Sequence, residues 1–227
     1  EDTDRPPGAG TPHGFPTTPA DPVCTPIRTH ILTDEDSLED VLRTYIPTDR
    51  PVVAAVISEK AAVNVLGLAE PIADYDAGPL AALLIRFVRP RPNSRGISVP
   101  QKMQYVLEHT GAARILAAAA VSAVTRPLGI KGMFYRVAGP LSRDLDGGRP
   151  PFEHLLFPPM TPSAARAVCD DLAARLGYPV AIIDINDYGG SIRGVSAGGP
   201  SHAELMRLLA HNPLGQRDAH TPVGVLN

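Results

Sequence analysis

The chain has 227 residues, 44% of them hydrophobic, which is enough to build one large domain or two small ones around a packed core. Its formal net charge of -3 gives no reason to expect nucleic acid as a partner. The two cysteines offer neither a metal-ligand spacing nor a disulfide framework, and Cys169 falls on the apolar face of a predicted helix, as a small core residue does.

Residues 1–26 are predicted to be a tail that is disordered or ordered only by docking. They combine proline, glycine, threonine and charged residues with almost no large apolar side chain, so they cannot bury enough surface to offset their ordering entropy. Residues 27–227 are predicted to form the domain. Because the sequence has neither a leader-like apolar segment nor an apolar run long enough to span a bilayer, we expect a cytoplasmic protein without membrane partners.

Predicted helices and strands alternate along this domain. Strands are expected at 29–32, 50–60, 131–139, 178–185 and 192–196, and helices at 33–46, 78–88, 99–111, 113–127, 161–177 and 201–213. The clearest helix has Thr161 as its cap, Pro162 at its first position and Gly177 at its end. Alternating elements with buried-type strands indicate an α/β fold, with α+β as the alternative.

Polar groups follow three of these elements, where ligands gather in α/β folds. In the stretch AIIDINDYGGSIRG, Asp184 and Asn186 share one face of a strand, and Asp187 leads into Gly189-Gly190. Such oxygen ligands suit Mg²⁺ or Mn²⁺, and the same residues also suit an ordinary turn.

The second place is the loop SRDLDGG, where Asp144 and Asp146 could complete a cation site and Arg143 and Arg149 could bind phosphates. A solvated loop with local ion pairs is the alternative.

The third place is Lys60, at the end of the predicted strand 50–60, where an ammonium could contact a phosphate or simply face solvent. Basic residues of a later segment support a phosphate site: Arg86, Arg89, Arg91 and Arg95. The sequence contains no P-loop, no dinucleotide-binding glycine motif and no nucleophile elbow, and its histidines have no zinc-ligand spacing.

Four segments together resemble the coenzyme F420-0:γ-glutamyl ligase family. They are VVAAVISEKAAVNVLG, KGMFYRVAG, VAIIDINDYGGSIRG and NPLGQRDAHTPVGVL, in the family's order over residues 28–225. The first resembles the family's early strand with its lysine, the second the strand ending in Ala-Gly before the metal-binding aspartate, and the third a later metal-binding strand end aligned on Gly189 and Arg193. The standard Gly-Ile-Asp-x-Ser-Asn segment is absent, so the resemblance is to divergent members.

The resemblance implies a mixed sheet flanked by helices and a homodimer that joins a carboxylate to an amine, with GTP or ATP phosphorylating the carboxylate. It implies Mn²⁺ or Mg²⁺ bound by Asp146 (Asp144 as second choice), Asn186 and Asp187, with Asp184 close by. It further implies that Lys60 and Arg193 are catalytic residues. The nucleotide would be contacted by Lys60, Arg143, Arg149 and Gly189, and Gln216 is a possible contributor to the site.

The expected parts agree with the chemistry, because phosphoryl transfer to a carboxylate needs positioned cations and metals more than a protein nucleophile. Two other interpretations remain open. One is a binding or regulatory module that keeps the fold without the chemistry. The other is a binder of the deazaflavin coenzyme that uses the pocket without ligation.

Overall fold

The computed structural model describes residues 22–88, 96–187, 189–215 and 220–227, and in them the chain has a mixed α/β fold. The strands are β1 (Cys24–Ile27), β2 (Ala54–Ser58), β3 (Glu70–Pro71), β4 (Asp146–Gly147), β5 (Leu155–Phe157), β6 (Val180–Asn186), β7 (Gly189–Val195) and β8 (Val223–Leu226). The helices are α1 (Leu38–Tyr45), α2 (Glu59–Val65), α3 (Pro79–Leu84), α4 (Pro100–Thr110), α5 (Ala112–Thr125), α6 (Met133–Ala138), α7 (Pro140–Asp144), α8 (Pro162–Leu176) and α9 (His202–Leu208). Short 3₁₀ turns lie at Ile72–Asp74, Ile85–Phe87 and Gly96–Ser98.

The larger sheet has five strands in the order β1-β8-β2-β6-β7. The pair β2 and β6 is parallel, whereas β1 with β8, β2 with β8 and β6 with β7 are antiparallel. Because β2 and β6 run in the same direction, their carboxyl ends meet at one edge of the sheet. The residues that follow β2 and end β6 are therefore neighbours in space.

Both faces of this sheet are buried, as the apolar character of its central strands predicts. Ile57 and Ile182 face a core that includes residues of α1, α2 and α8, and Val56 and Ile183 face a second core with α9. Successive residues of a strand point to opposite faces, so β2 and β6 each contribute side chains to both cores.

A second part of the fold lies between α2 and α8. It contains the three-stranded antiparallel sheet β3-β5-β4 and helices α3 to α7, around a core that includes Met103, Ile115 and Leu156. This part carries β4 and the first turn of α4 to the carboxyl edge of the large sheet, where Lys60 contacts Gly147. None of the helices in the described segments is long and apolar enough to cross a membrane.

Helices with clear capping signals form where the sequence predicts them. Thr161 Oγ1 accepts a hydrogen bond from the Ala164 amide at the start of α8, and Gly177 ends that helix with a left-handed backbone. Ser201 Oγ caps α9 through the Glu204 amide in the same way. Cys169 is fully buried within α8, as predicted, and burial raises the pKa of its thiol to about 12.

The prediction of a strand at 131–139 is wrong, because this segment contains α6 between Gly132 and Gly139. Its aromatic and β-branched residues favour strands by propensity, but here they pack against α5 and the helical core. The segment 29–32 is not a strand either. The Thr29 amide donates a hydrogen bond to the His220 carbonyl, and Asn64 Nδ2 donates one to the Leu32 carbonyl.

Two predicted boundaries also shift. The first strand begins at Cys24, inside the predicted tail 1–26, because Cys24–Ile27 pairs with β8. Lys60 is the second residue of α2 and does not end a strand, since the helix begins directly after Ser58. Residues 1–21 of the predicted tail lie outside the described residues.

Candidate functional site

Arg193 stands at a β-bulge in the β6–β7 hairpin. Ile182 pairs with Gly194 and Ile183 with Ile192, so Arg193 is the extra residue without a partner across the ladder. The bulge also explains why Ile192 and Val195, three residues apart, face the same core. It directs the Arg193 side chain, which is 8% exposed as a residue, toward the carboxyl edge of the sheet.

Three carboxylates from separate elements surround the Arg193 guanidinium. Its Nη1 and Nη2 each donate to Asp144 Oδ2 at 3.1 Å, and Nη2 donates to Asp184 Oδ2 at 2.9 Å. Glu59 Oε1 lies 3.0 Å from Nε, as an ion pair whose angle does not make a hydrogen bond. Glu59 Oε1 instead accepts a hydrogen bond from the Met160 amide at 2.7 Å.

A second group of charges lies beside this one. Lys60 Nζ pairs with Asp146 Oδ2 and donates to the Gly147 carbonyl at 3.3 Å. Lys102, from the first turn of α4, is close enough to Asp146 and Lys60 to interact with both electrostatically. We call the whole set the Arg193 cluster, and its members are Glu59, Lys60, Lys102, Arg143, Asp144, Asp146, Asp184 and Arg193.

Burial and neighbouring charges divide the carboxyl groups of the cluster into two kinds. Burial raises the pKa of Glu59 to about 7 despite the nearby Arg193, and it raises the pKa of Asp184, with the charges of Asp144 and Asp146 adding to the rise. Asp144 and Asp146 are also desolvated, but bonds from Arg143 and Arg193 lower the pKa of Asp144, and Lys60 lowers the pKa of Asp146.

Exposure divides the same carboxylates into an inner and an outer pair. The side chains of Glu59 and Asp144 are 10% and 12% exposed, whereas those of Asp184 and Asp146 are 41% and 54% exposed. The inner pair holds Arg193 in place, since an isolated buried charge is costly. The outer pair is accessible to a ligand.

The outer carboxylates fit a divalent cation in chemical kind, because Mg²⁺ and Mn²⁺ prefer oxygen ligands. They are not arranged around a vacant centre: no group of three His, Cys, Asp or Glu residues in the described segments is placed to hold a metal ion. Arg193 and Lys60 make the contacts that a cation would otherwise make with Asp184 and Asp146. A cation would bind here by turning these carboxylates away from their present partners.

The structure brings together Lys60, Asp146, Asp184 and Arg193 as the sequence predicts. Arg143 joins them through Asp144, which accepts its Nε at 2.7 Å and its Nη2 at 3.0 Å.

Other predicted site residues are placed elsewhere. Asp187 is in the hairpin turn and accepts a hydrogen bond from Asn212 at 2.8 Å, so it is held toward the segment after α9. Asn186 and Gly189 pair with each other at the ends of β6 and β7, two residues beyond Asp184 along β6, and their predicted roles stay predictions. Arg149 is exposed, with no described contact to the cluster. Gln216, Arg89, Arg91 and Arg95 lie outside the described residues, and Arg86 is exposed on a 3₁₀ turn.

Two members of the cluster, Glu59 and Lys102, are not among the site residues predicted from the sequence. Glu59 falls within the predicted strand 50–60, and its position beside Lys60 is the one signal in the sequence that points to it. Lys102 carried no signal, because a lysine in the first turn of a helix is usually exposed. Its burial, and the approach of its side-chain end to Gly147, are visible only in the structure.

Comparisons with known proteins add no assignment. No protein-family model matches the chain, and no curated protein matches it. The geometry of the Arg193 cluster is therefore the basis on which a function is assigned.

Proposed function

We propose that the chain is a nucleotide- and divalent-metal-dependent ligase that forms an amide bond between a carboxylate and an amine. One observation carries the proposal: Lys60, Asp146, Asp184 and Arg193 come from separate segments and meet at the carboxyl edge of β2 and β6. The proposal includes a fold of the F420-0:γ-glutamyl ligase type, which the sequence segments around these residues resemble, and a homodimer.

The chemistry has two steps. An oxygen of the substrate carboxylate attacks the terminal phosphorus of GTP or ATP, and the nucleoside diphosphate leaves. The amine nitrogen then attacks the acyl carbon, inorganic phosphate leaves with the C–O bonding electrons, and the amine proton passes to solvent. Neither step needs a protein nucleophile, so a site made of carboxylates and cations is sufficient.

Asp146 and Asp184 are the residues that would hold a divalent cation, because they are the exposed carboxylates of the cluster. Such a cation would neutralise phosphate oxygens of the nucleotide. Arg193 now bonds Asp184 at 2.9 Å, and when a cation takes this carboxylate the guanidinium would be released to contact a phosphoryl oxygen. Lys60, with a side chain 38% exposed, can exchange its contact with Asp146 for one with a phosphoryl group.

Ligand-induced stabilisation tests the proposal directly. GTP or ATP together with Mn²⁺ or Mg²⁺ is expected to raise the melting temperature, whereas either component alone has a smaller effect. Asp184→Asn should abolish this stabilisation. The matched control Asp76→Asn should retain it, because Asp76 is an exposed carboxylate outside the cluster. If no nucleotide–metal pair stabilises the wild type and no phosphate is released with any carboxylate and amine, the proposal fails.

A binding module without catalysis is the second candidate. The pairing of Asp184 with Arg193 and of Asp146 with Lys60 favours it, because these ion pairs satisfy the carboxylates without a metal. On this alternative, Asp184→Asn and Asp146→Asn leave ligand binding intact. Loss of a measured turnover in either variant rules it out.

A further inference from the structure

Lys102 is a buried lysine without a countercharge in contact with it. The residue is 7% exposed and lies in the first turn of α4. Its ammonium makes no hydrogen bond or ion pair with any other residue in the part of the chain that the structure describes, although Asp146 is near enough to influence it. Burial lowers the pKa of Lys102, and a ligand that supplies the opposite charge would offset this cost to the charged form.

Gly147 makes room for the Lys102 ammonium. A Cβ atom at position 147 would lie 2.7 Å from Nζ and 2.9 Å from Cε, closer than such atoms approach. The lysine therefore reaches the backbone of β4 only because residue 147 has no side chain. Lys60 reaches the same residue from α2 and donates to its carbonyl, so two lysines converge on Gly147.

Two basic side chains and one carboxylate lie beside Gly147, within a cluster that has four basic and four acidic members in all. Lys60 and Lys102 bring two ammonium groups, and Asp146 is the carboxylate that pairs with one of them. The position of Lys102 in the first turn of α4 adds the positive end of the helix dipole. A small anion with several oxygens would satisfy Lys102 and exchange with Asp146 at Lys60.

We propose that Lys102, together with Lys60, forms a binding site for a phosphoryl oxyanion beside Gly147. The ammonium of lysine binds phosphate as a compact point charge, which suits a site with room for a small group. The inference deepens the proposed function and rests on it for the source of the phosphoryl group. Its test requires neither a nucleotide nor a metal.

Calorimetric titration of the full chain with inorganic phosphate and with tripolyphosphate in chloride buffer tests the site. The wild type should bind both, and Lys102→Gln should bind at least about tenfold more weakly. Lys131→Gln is the matched control, since Lys131 is exposed and outside the cluster, and it should bind like the wild type. Titration with acetate separates a phosphoryl site from a carboxylate site: acetate binding as tight as phosphate binding overturns the assignment.

Gly147→Ala is a second variant that leaves the lysine in place. Its new Cβ displaces only the flexible end of Lys102, so the protein should fold and yet lose affinity for phosphate. Lys102→Met should keep or raise the melting temperature of the free protein, because it removes a buried charge. Phosphate binding as tight in Lys102→Gln as in the wild type, or none in the wild type, overturns the proposal.

The two proposals fail separately. If phosphate binding depends on Lys102 but no nucleotide–metal pair stabilises the protein, the oxyanion site stands and the ligase is excluded. If the ligase reaction is found and Lys102→Gln retains both phosphate binding and kcat, the ligase stands and the role of Lys102 is excluded.

Discussion

Arg193 Nη2 donates a hydrogen bond to Asp184 Oδ2 at 2.9 Å although the two residues do not pair in the hairpin, where Asp184 lies opposite Ser191. The bulge at Arg193 makes the contact possible, because it turns the side chain out of the regular alternation of β7. The hairpin thus turns at Asp187, and three residues earlier, at Asp184, it contributes to the candidate site.

Removal of the guanidinium should destabilise the protein strongly. Arg193→Met leaves the buried carboxylates of Glu59 and Asp144 without their shared partner, and breaking a buried ion pair costs about 3–5 kcal/mol. Urea unfolding measures the loss. Arg175→Met is the control, since Arg175 pairs with Asp171 and Glu39 at the surface and should change stability little. Equal effects of the two substitutions would contradict a central role for Arg193.

Glu59→Gln should change how stability depends on pH. The pKa of Glu59 is raised from 4.5 to about 7 in the folded protein. Below pH 4.5 the carboxyl is protonated in both states. Between pH 4.5 and about 7 the unfolded chain releases the proton while the folded chain keeps it, so the contribution of Glu59 to stability falls as pH rises. Glutamine stays neutral, so the variant avoids this loss.

The free energy of unfolding of Glu59→Gln, relative to that of the wild type, should therefore rise by up to about 3 kcal/mol between pH 4 and pH 8. Denaturant unfolding at a series of pH values measures it. Glu153→Gln is the control, because Glu153 is exposed, and its difference curve should be flat. A flat curve for Glu59→Gln as well would show that the pKa of Glu59 is close to its ordinary value in the folded protein.

Gly190→Ala should damage the hairpin from the backbone. A Cβ at position 190 would lie 2.0 Å from the Asp184 carbonyl oxygen. The backbones at residues 184 and 190 could separate only if β6 shifted against β7. We expect a loss of about 3 kcal/mol or more in the free energy of unfolding. Gly198→Ala, with φ of +78° and open space around it, should cost only about 1–2 kcal/mol. Thermal unfolding of both variants ranks them.

Lys60→Met should separate stability from ligand binding. The side chains of Lys60 and Asp146 are 38% and 54% exposed, so loss of their ion pair should cost less than about 1 kcal/mol. If the proposed function is right, the same substitution should remove most of the stabilisation by nucleotide and metal, because it removes the cation that we propose to bind a phosphate. If the variant keeps the full ligand-induced rise in melting temperature, Lys60 does not bind the nucleotide.

The sequence predicts elements whose signals are local. Helix α8 follows from Thr161, Pro162 and Gly177, and β2 and β6 follow from their unbroken apolar runs. Lys60 and Asp184 could be predicted as neighbours because the residues that follow β2 and end β6, two parallel strands, meet at one sheet edge. The expectation that Asp146 and Arg193 join them comes from the family resemblance.

Other features depend on contacts between distant segments. The residues of α6 favour a strand by propensity, and only their packing against α5 makes them helical. The end of the Lys102 side chain lies against Gly147 of β4, a segment distant in sequence. Arg193 turns inward because of a bulge that depends on pairing register. Asp187 was predicted as a metal ligand on spacing, but its hydrogen bond to Asn212 depends on a segment far along the chain.

Two contacts of the Arg193 cluster join segments that are far apart in the chain. Arg193 donates a hydrogen bond to Asp144, 49 residues earlier in the chain. The Met160 amide donates one to Glu59, 101 residues earlier. These contacts join segments far apart in the chain, so they exist only while the sheet and the segment between α2 and α8 are both in place. The Met160 amide should therefore exchange its hydrogen with solvent only when that whole unit opens. Hydrogen exchange at this one amide would report whether the site is lost together with the fold or before it.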